Sequence, residues 1–149
     1  MIKKFFATDQ SFAPTILRIM LGGVMFAHGA QKLLGWFGGR GFEATVKGFT
    51  GNMHIPEFLA VLVVLTESVG ALALVAGFFT RLAALAITVD MACAVILVHS
   101  KVGFFMNWRG TIKGEGYEYH LLMIAMGLAL VITGGGLWSV DAAIAKKLR

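Results

Sequence analysis

The residues best suited to chemistry are polar and ionisable side chains set inside a hydrophobic run. His28, Gln31 and Lys32 interrupt an apolar stretch that ends at Leu34. Residues three and four positions apart share one face of a helix, so these three side chains are expected to point the same way. A histidine and a lysine together on a membrane helix indicate a functional site.

Two further histidines are expected near that face. His99 ends the third apolar run and His120 begins the fourth, which places both at the same side of the membrane as His28. Tyr117 and Glu118 come just before His120 in the chain. The sequence therefore predicts that histidines from three helices converge in one leaflet.

Two carboxylates are expected near the middle of the second and third runs, at Glu67 and Asp90. A charge at the bilayer centre costs roughly 2.5–3.5 kcal/mol on insertion scales, so each is expected to be paired, protonated or turned to a polar cavity. Asp90 and His99 are nine residues apart, almost opposite on an ideal helix. Both can face the bundle centre only if the helix bends.

Each of these side chains also has a structural interpretation. His99 and His120 lie at predicted helix ends, where water reaches a histidine at little cost, and Lys32 can extend its ammonium group to the headgroups. Arg18 and Arg81 lie toward the opposite surface and are the available cations. The structural alternative is that they form ion pairs with Glu67 or Asp90 that hold the bundle together.

The chemistry open to such a cluster is limited. Neutral histidine can bind haem iron or a divalent metal, donate a hydrogen bond to a quinone carbonyl, or move the proton that quinone reduction consumes. No HxxxH or HxxEH motif occurs, so the spacing does not favour haem or metal, and no residue is assigned to a metal. A quinone pocket is one interpretation that this chemistry leaves open. Its predicted reacting residues are His28, Lys32, Glu67 and His120, and its predicted cofactor contacts are Gln31, His99, Tyr117 and Glu118.

A membrane bundle must position these groups. The chain has 149 residues, 58% hydrophobic and 14% charged, and its mean hydropathy is +0.80. Soluble domains carry about 25% charged residues. We predict an all-α polytopic membrane protein, a single domain over residues 1–149. Its four transmembrane helices are expected at about residues 15–34, 58–79, 82–99 and 117–138, which leaves no room for a soluble domain.

The first loop is expected to carry a short interfacial helix. Phe42, Val46 and Phe49 recur at helical spacing opposite Glu43 and Lys47. This pattern is typical of a helix that lies at the membrane surface. The glycine-rich turn at residues 35–39 precedes it, and we expect that turn to fold the helix over the pocket.

The charge pattern bears on location and partners. The net charge is +5, and basic residues flank apolar spans rather than forming the aromatic-rich basic cluster of a nucleic-acid site. Four spans place both termini on one side, which holds seven lysines and arginines against six on the other. This small excess predicts cytoplasmic termini. The seven are Lys3, Lys4, Arg18, Arg81, Lys146, Lys147 and Arg149.

Two minor features concern assembly and redox chemistry. Small-residue faces on the first, second and fourth spans would permit a homodimer. The single cysteine, Cys93, excludes an intramolecular disulfide, and its apolar neighbours predict a buried, inert thiol.

Several motifs are specific when taken together. They are His28-Gly29-Ala30-Gln31-Lys32-Leu33, Gly35-Trp36-Phe37-Gly38-Gly39, LTESVGALALVAGF around Glu67, Gly116-Tyr117-Glu118-Tyr119 and Trp138-Ser139-Val140-Asp141. Over about residues 15–141 the chain resembles the DoxX family of small membrane proteins. The resemblance implies a four-helix bundle in the bacterial inner membrane with a redox role. DoxD-type relatives are subunits of a thiosulfate:quinone oxidoreductase, and mycobacterial DoxX is linked to a complex with superoxide dismutase and a sulfurtransferase.

Three hypotheses for function follow. The first is a quinone-linked oxidoreductase, or the membrane subunit of a redox complex that works with a soluble redox protein. The second is a non-catalytic scaffold that recruits a soluble partner through its loops. The third is a proton-coupled transporter that uses Glu67 and Asp90. The chain has no cysteine pair, so dithiol transfer is not supported.

The expected burial of Glu67 gives a first test. Glu67→Gln should lower the yield of folded protein more than Glu43→Gln, because Glu67 lies within a span and Glu43 on a surface helix. The yield is measured as monodisperse protein recovered from solubilised membranes. Equal yields would mean that Glu67 takes part in no buried interaction.

Overall fold

Helices make up the fold. A computed structural model describes residues 5–148, and within this range it contains helices, turns and loops but no β-strand. The predicted all-α class is therefore confirmed. The helices are α1 (Phe12–Leu34), α2 (Gly41–Met53), α3 (Glu57–Ala76), α4 (Thr80–Leu97), α5 (Glu118–Thr133) and α6 (Val140–Lys147). Lys3, Lys4 and Arg149, which contribute to the charge count, lie outside the described residues.

Three helices are long and apolar enough to cross a membrane. They are α1, α3 and α4 together with the short turn that follows it. The fourth predicted span is wrong at its end, because α5 has 16 residues and stops at Thr133 rather than near Trp138. Gly134 ends it with φ +77° and ψ −164°, a conformation open essentially to glycine alone. A 16-residue helix is about 24 Å long, whereas the hydrocarbon core of a bilayer is about 30 Å thick. The helical part of α5 is therefore shorter than the core that it would have to cross.

The outside of the bundle is apolar. Large side chains on every long helix are exposed, which suits contact with lipid and not with water. They include Ile16, Met20, Leu62, Leu72, Val89, Ile96, Leu122, Leu128 and Ile132. Cys93 is also exposed, so the predicted burial of its thiol is wrong: it lies on the outward face of α4. The protein is a membrane protein.

Small residues bring the helices close together in the interior. A Cβ atom at Gly127 of α5 would lie 2.1 Å from Thr88 Oγ1 on α4, and one at Gly22 of α1 would lie 2.8 Å from the Ala71 carbonyl oxygen on α3. The core between these helices consists of Leu21, Met25, Ala71, Leu74, Ala83, Ala84, Ile87, Met91, Met123 and Leu130. The predicted helix in the first loop exists as α2, and Val46 is its buried residue. Its place at a membrane surface stays a prediction.

The two ends of the bundle differ. We call the end that carries the loops 35–56 and 98–117 the loop end, and the other the terminal end. At the terminal end buried Arg18 donates to the carbonyl oxygens of Gly135 at 2.8 Å and Trp138 at 3.1 Å, and also to Val75. Arg81 donates to the Ala7 and Ile132 carbonyls at 2.9 and 2.7 Å.

The predicted ion pairs of Arg18 and Arg81 with Glu67 or Asp90 are therefore wrong. The last carbonyl groups of a helix have no partner within it, and a cation there also meets the negative end of the helix dipole. Val75 is in the last turn of α3, and Ile132 is in that of α5. Both guanidinium groups thus cap helix ends at the terminal end of the bundle.

Asp141 completes this end of the molecule. It is 3% exposed, and its carboxylate accepts hydrogen bonds from the backbone N–H groups of Phe79 at 2.9 Å and Thr80 at 2.8 Å. These donors open α4, where a carboxylate is favoured by the helix dipole. Asp141 therefore joins α6 to the start of α4.

Removing this cap should destabilise the bundle. Asp141→Ala leaves two buried N–H groups without a partner, and we expect a loss on the order of 2 kcal/mol in the free energy of unfolding. Thermal unfolding in detergent provides the measurement. Asp9→Ala, which removes an exposed carboxylate near the same end, is the control and should leave the melting temperature unchanged. Equal melting temperatures for the two variants would contradict the capping role.

Candidate functional site

The site begins where α1 and α3 touch most closely. A Cβ atom at Gly29 would lie only 2.2 Å from the Glu67 carbonyl oxygen. At this point α3 changes to a π-helix over Thr66–Gly70 before resuming as an α-helix. Such a bulge rotates the residues within it, and π-bulges often occur at functional sites. Gly29 and the π-helix together set Glu67 against α1.

Lys32 and Glu67 form an ion pair at this contact. Lys32 lies one turn beyond Gly29, and its side chain is 26% exposed, whereas that of Glu67 is 5% exposed. No other salt bridge occurs among residues 5–148. Gly29 is five residues before the end of α1, about 7.5 Å along the axis. Glu67 is the eleventh of the 20 residues of α3, so it lies halfway along its own helix, as the sequence predicts.

Asp90 of α4 joins the pair from the other side. Its carboxyl group lies near enough to that of Glu67 for the two to interact electrostatically. Its Oδ2 atom is buried without a partner in the described part of the chain. Two carboxyl groups and one ammonium group therefore meet between α1, α3 and α4.

A pair of histidines forms the second part of the site. The rings of His99 and His120 lie 4.0 Å apart between centroids, at an angle of 40°. The helix breaks before His99, which is the condition that the sequence argument set for His99 to face inward: α4 ends at Leu97, and Val98 leaves the helical region with φ −123° and ψ −61°. His99 then begins a short 3-10 turn and reaches the Glu115 carbonyl oxygen at 2.8 Å. His120 is 8% exposed, and its Nδ1 has no partner within residues 5–148.

The two parts face one cavity of about 410 Å³ at the loop end. Glu67 and His120 are buried at its inner side, while His28 is exposed and marks its mouth. The cavity is lined by Met25, His28, Lys32, Glu67, Met91, Ala94, His99, Met106, Trp108, Glu115, Tyr119, His120 and Met123. The four predicted reacting residues thus lie around one space, together with His99.

Comparison with known proteins places this arrangement in a family. A sequence model of DoxX matches residues 13–100, more than half of the chain and the part that contains His28, Lys32, Glu67, Asp90 and His99. The chain belongs to the DoxX family. No solved structure matches it.

Three relatives are similar over most of their length. One is named "Putative oxidoreductase CatD", from Bacillus subtilis (strain 168), 28% identical over 88% of this chain and 86% of its own. An uncharacterized protein of Haemophilus influenzae is 31% identical over 88% and 90%, respectively. Inner membrane protein YqjF of Escherichia coli (strain K12) is 28% identical over 89% and 92%.

Three predicted contacts of this DoxX protein do not reach the cavity. Gln31 donates to the Phe37 carbonyl oxygen at 3.3 Å. The Tyr117 ring packs edge-on against Phe104, with 5.5 Å between centroids. Glu118 turns outward into the loop. Each of these side chains contacts a residue of a neighbouring loop. Helical spacing does not predict the path of a loop, so it could not predict these contacts.

The cover of the cavity is the second loop. Met106, Trp108 and Glu115 of this loop line the cavity, and no residue of α2 does. The loop is held by carboxylates: Glu118 accepts from Met106 N at 3.0 Å and from Trp108 Nε1 at 3.2 Å, and Glu115 accepts from Asn107 N at 2.8 Å. The expectation that the first loop folds α2 over the pocket is therefore wrong.

Sequence reasoning missed the methionines of the cavity. Met25 and Met123 are each 1% exposed, and each lies three residues from a cavity histidine, His28 or His120. This spacing places each methionine on the same helix face as its histidine, and it could have identified the methionines as cavity residues. Thioether side chains are polarizable and flexible, so they line an apolar wall that adapts to a planar ring.

The close contact at Gly29 predicts a sharp difference between two glycines of α1. Gly29→Ala should force α1 away from the π-helix, with an overpacking cost of about 1–3 kcal/mol. Gly23→Ala has open space around it and should be neutral or slightly stabilising, since alanine favours a helix. Melting temperatures of the two variants in one detergent test this. A Gly29→Ala protein as stable as Gly23→Ala would mean that the helices do not meet there.

Proposed function

We propose that this protein binds a quinone in the cavity at its loop end and acts as a quinone-linked oxidoreductase or as the membrane subunit of a redox complex. The observation that carries the proposal is the convergence of His28, Lys32 and His120 with the buried carboxylate of Glu67 around one cavity. Polar groups converging in an otherwise apolar cavity favour a ligand that combines both characters.

A quinone ring suits the chemistry of this cavity. Its two carbonyl oxygens accept hydrogen bonds, which the Lys32 ammonium group and the imidazoles of His28 and His120 can donate. The buried Nδ1 of His120 has no hydrogen-bond partner within residues 5–148, and a ligand would supply one. Methionine side chains from α1, α4 and α5 supply the apolar surface for the ring faces. At about 410 Å³ the cavity is within the range of small-molecule sites.

The acidic residues provide a route for protons. Reduction of a quinone to a quinol takes up two electrons and two protons. Asp90 and Glu67 lie beside each other with Lys32, and their charges balance when one carboxyl group holds a proton. That proton is adjacent to the cavity, where Glu67 can pass it to the ligand. The carboxyl pair is then protonated again from water at the loop end, and a second transfer supplies the other proton of the quinol. The electrons would come from a reduced soluble redox protein docked at the loop end.

The membrane arrangement completes the proposal. We place the protein in the bacterial inner membrane with α5 as a fourth span, α2 at the interface and both termini in the cytoplasm. The name of the YqjF relative supports the location, and the name of the CatD relative supports a redox role. A homodimer would use the exposed small-residue face of α1 at Gly23.

Binding of a tail-less quinone tests the proposal. Tetramethyl-1,4-benzoquinone is the probe, because its ring has no free position for addition of the exposed Cys93 thiol. His28→Ala should weaken its binding about tenfold, the equivalent of one hydrogen bond. His54→Ala, a loop histidine that does not line the cavity, is the control and should bind normally. Calorimetric titration of the purified protein gives the dissociation constants.

Two outcomes would contradict the proposal. One is that the unaltered protein does not bind the quinone. The other is that His28→Ala and His54→Ala bind it equally well. A scaffold that only recruits a soluble partner through its loops would give either of these results. Replacing the loops of such a scaffold would release the partner.

A further inference from the structure

A second hollow lies directly beside the cavity, on the lipid-facing side of α5. It has a volume of about 330 Å³ and is lined by Phe104, Met106, Trp108, Glu118, Tyr119, Leu121 and Leu122. Leu121 is 43% exposed and Leu122 is 65% exposed. We call this hollow the outer groove. Its surface is almost entirely apolar, and it opens where the bundle faces the bilayer.

The cavity and the outer groove share one wall. Met106, Trp108 and Tyr119 line both. Polar groups lie on one side of this wall, among them Lys32 and His120, and leucines on the other. The two hollows together therefore have the shape and polarity of an amphipathic molecule with a polar ring and an apolar chain.

We propose that the outer groove is a subsite for the tail of a lipid-soluble quinone, whose ring occupies the cavity. The inference rests on the proposed function and narrows its substrate class to membrane-resident quinones with an alkyl or isoprenoid tail. A water-soluble quinone would use the cavity alone. A tailed quinone fills both hollows and can enter sideways from the bilayer, across the shared wall.

The shared wall is built so that it can admit such a chain. Met106 and Trp108 belong to the loop, and Trp108 is 84% exposed. Within residues 5–148, the Glu118 carboxylate is the side-chain group of α5 that accepts hydrogen bonds from both residues, from Met106 N and Trp108 Nε1. Methionine adapts its shape readily, and tryptophan is favoured at the membrane interface. Glu118 is thus a positioning residue for the wall and does not contact the ring.

Packing is the source of selectivity in the outer groove. Lipid chains are as apolar as leucine, so a tail gains little from the hydrophobic effect when it leaves the bilayer for the groove. It gains contacts with the leucine and aromatic side chains, and its ring is held at a fixed depth. Filling the groove should therefore exclude a tail by steric overlap and leave ring binding intact.

A pair of ligands and a pair of variants test this inference. The ligands are tetramethyl-1,4-benzoquinone and the trimethyl analogue that carries a decyl chain in place of the fourth methyl group. Leu122→Trp fills the outer groove. Leu128→Trp adds the same side chain to an exposed position of α5 that does not line the groove. Binding is measured in nanodiscs of one lipid composition. The tailed quinone then partitions into the lipid to the same extent for every variant, so differences in binding reflect the protein.

The expected result is selective. Leu122→Trp should weaken binding of the decyl quinone about tenfold, or about 1.4 kcal/mol, and leave the tail-less quinone unaffected. Leu128→Trp should change neither. Equal binding of the decyl quinone by both variants would overturn the tail subsite while leaving quinone binding in place. Failure of both quinones to bind the unaltered protein would instead overturn the proposed function.

A second measurement does not depend on the folding of a variant. A quinone with a photoreactive diazirine at the end of its tail is bound to the unaltered protein in nanodiscs and irradiated. Crosslinks should map to residues 104–122 by mass spectrometry, with Leu121 and Leu122 among them. Crosslinks confined to other faces of the bundle would show that only lipid chains occupy the outer groove.

Discussion

The ion pair between Lys32 and Glu67 is the interaction on which the loop end depends. Both groups leave water when the bundle folds, and their mutual attraction offsets that cost only if the geometry is held closely. Gly29 allows α1 to approach, and the π-helix of α3 turns Glu67 toward it. The pair in turn keeps an ammonium group at the edge of the cavity, where a ligand can use it. Backbone geometry and site chemistry are therefore coupled at a single contact.

The two ends of the bundle use polar groups differently. At the terminal end, Arg18, Arg81 and Asp141 bind backbone carbonyl and N–H groups, so their charges complete helix ends. At the loop end, Lys32 pairs with Glu67 beside the Asp90 carboxyl group, and the histidines face a cavity. Groups that bond to the backbone stabilise the fold, although Arg81 Nε is left without a partner among residues 5–148. Groups that retain a free donor or acceptor, such as His120 and Asp90, are available to a ligand or a proton.

Periodicity and hydropathy predict much of this structure. They give the helical class, three long apolar helices and the grouping of His28, Lys32, Glu67, His99 and His120, because residues three or four apart share a face and antiparallel helices align their ends. These patterns do not predict where the backbone departs from a regular α-helix. The π-helix at Thr66–Gly70 and the break at Val98 are changes of backbone conformation inside or beside apolar helices, and hydropathy does not mark them. The early end of α5 comes from the backbone conformation of Gly134.

Side-chain partners in the loops were the least predictable part. Arginine in an apolar run suggests a carboxylate partner, yet Arg18 binds carbonyl groups that the end of α3 and the loop after α5 leave free. Glu118 looks like a site residue because it precedes His120, yet it holds the loop that covers the cavity. In both cases at least one partner is a backbone atom, and the position of that atom is set by the tertiary fold.

The most direct test of the account is a double-mutant cycle on the ion pair, measured in an Asp90→Asn background so that Asp90 cannot replace Glu67. Lys32→Met and Glu67→Met should each lower the free energy of unfolding by about 3–5 kcal/mol, because each leaves one buried charge without its partner. The double variant should be more stable than either single variant. If the two losses simply add, Lys32 and Glu67 are not a pair, and the site described around them does not exist.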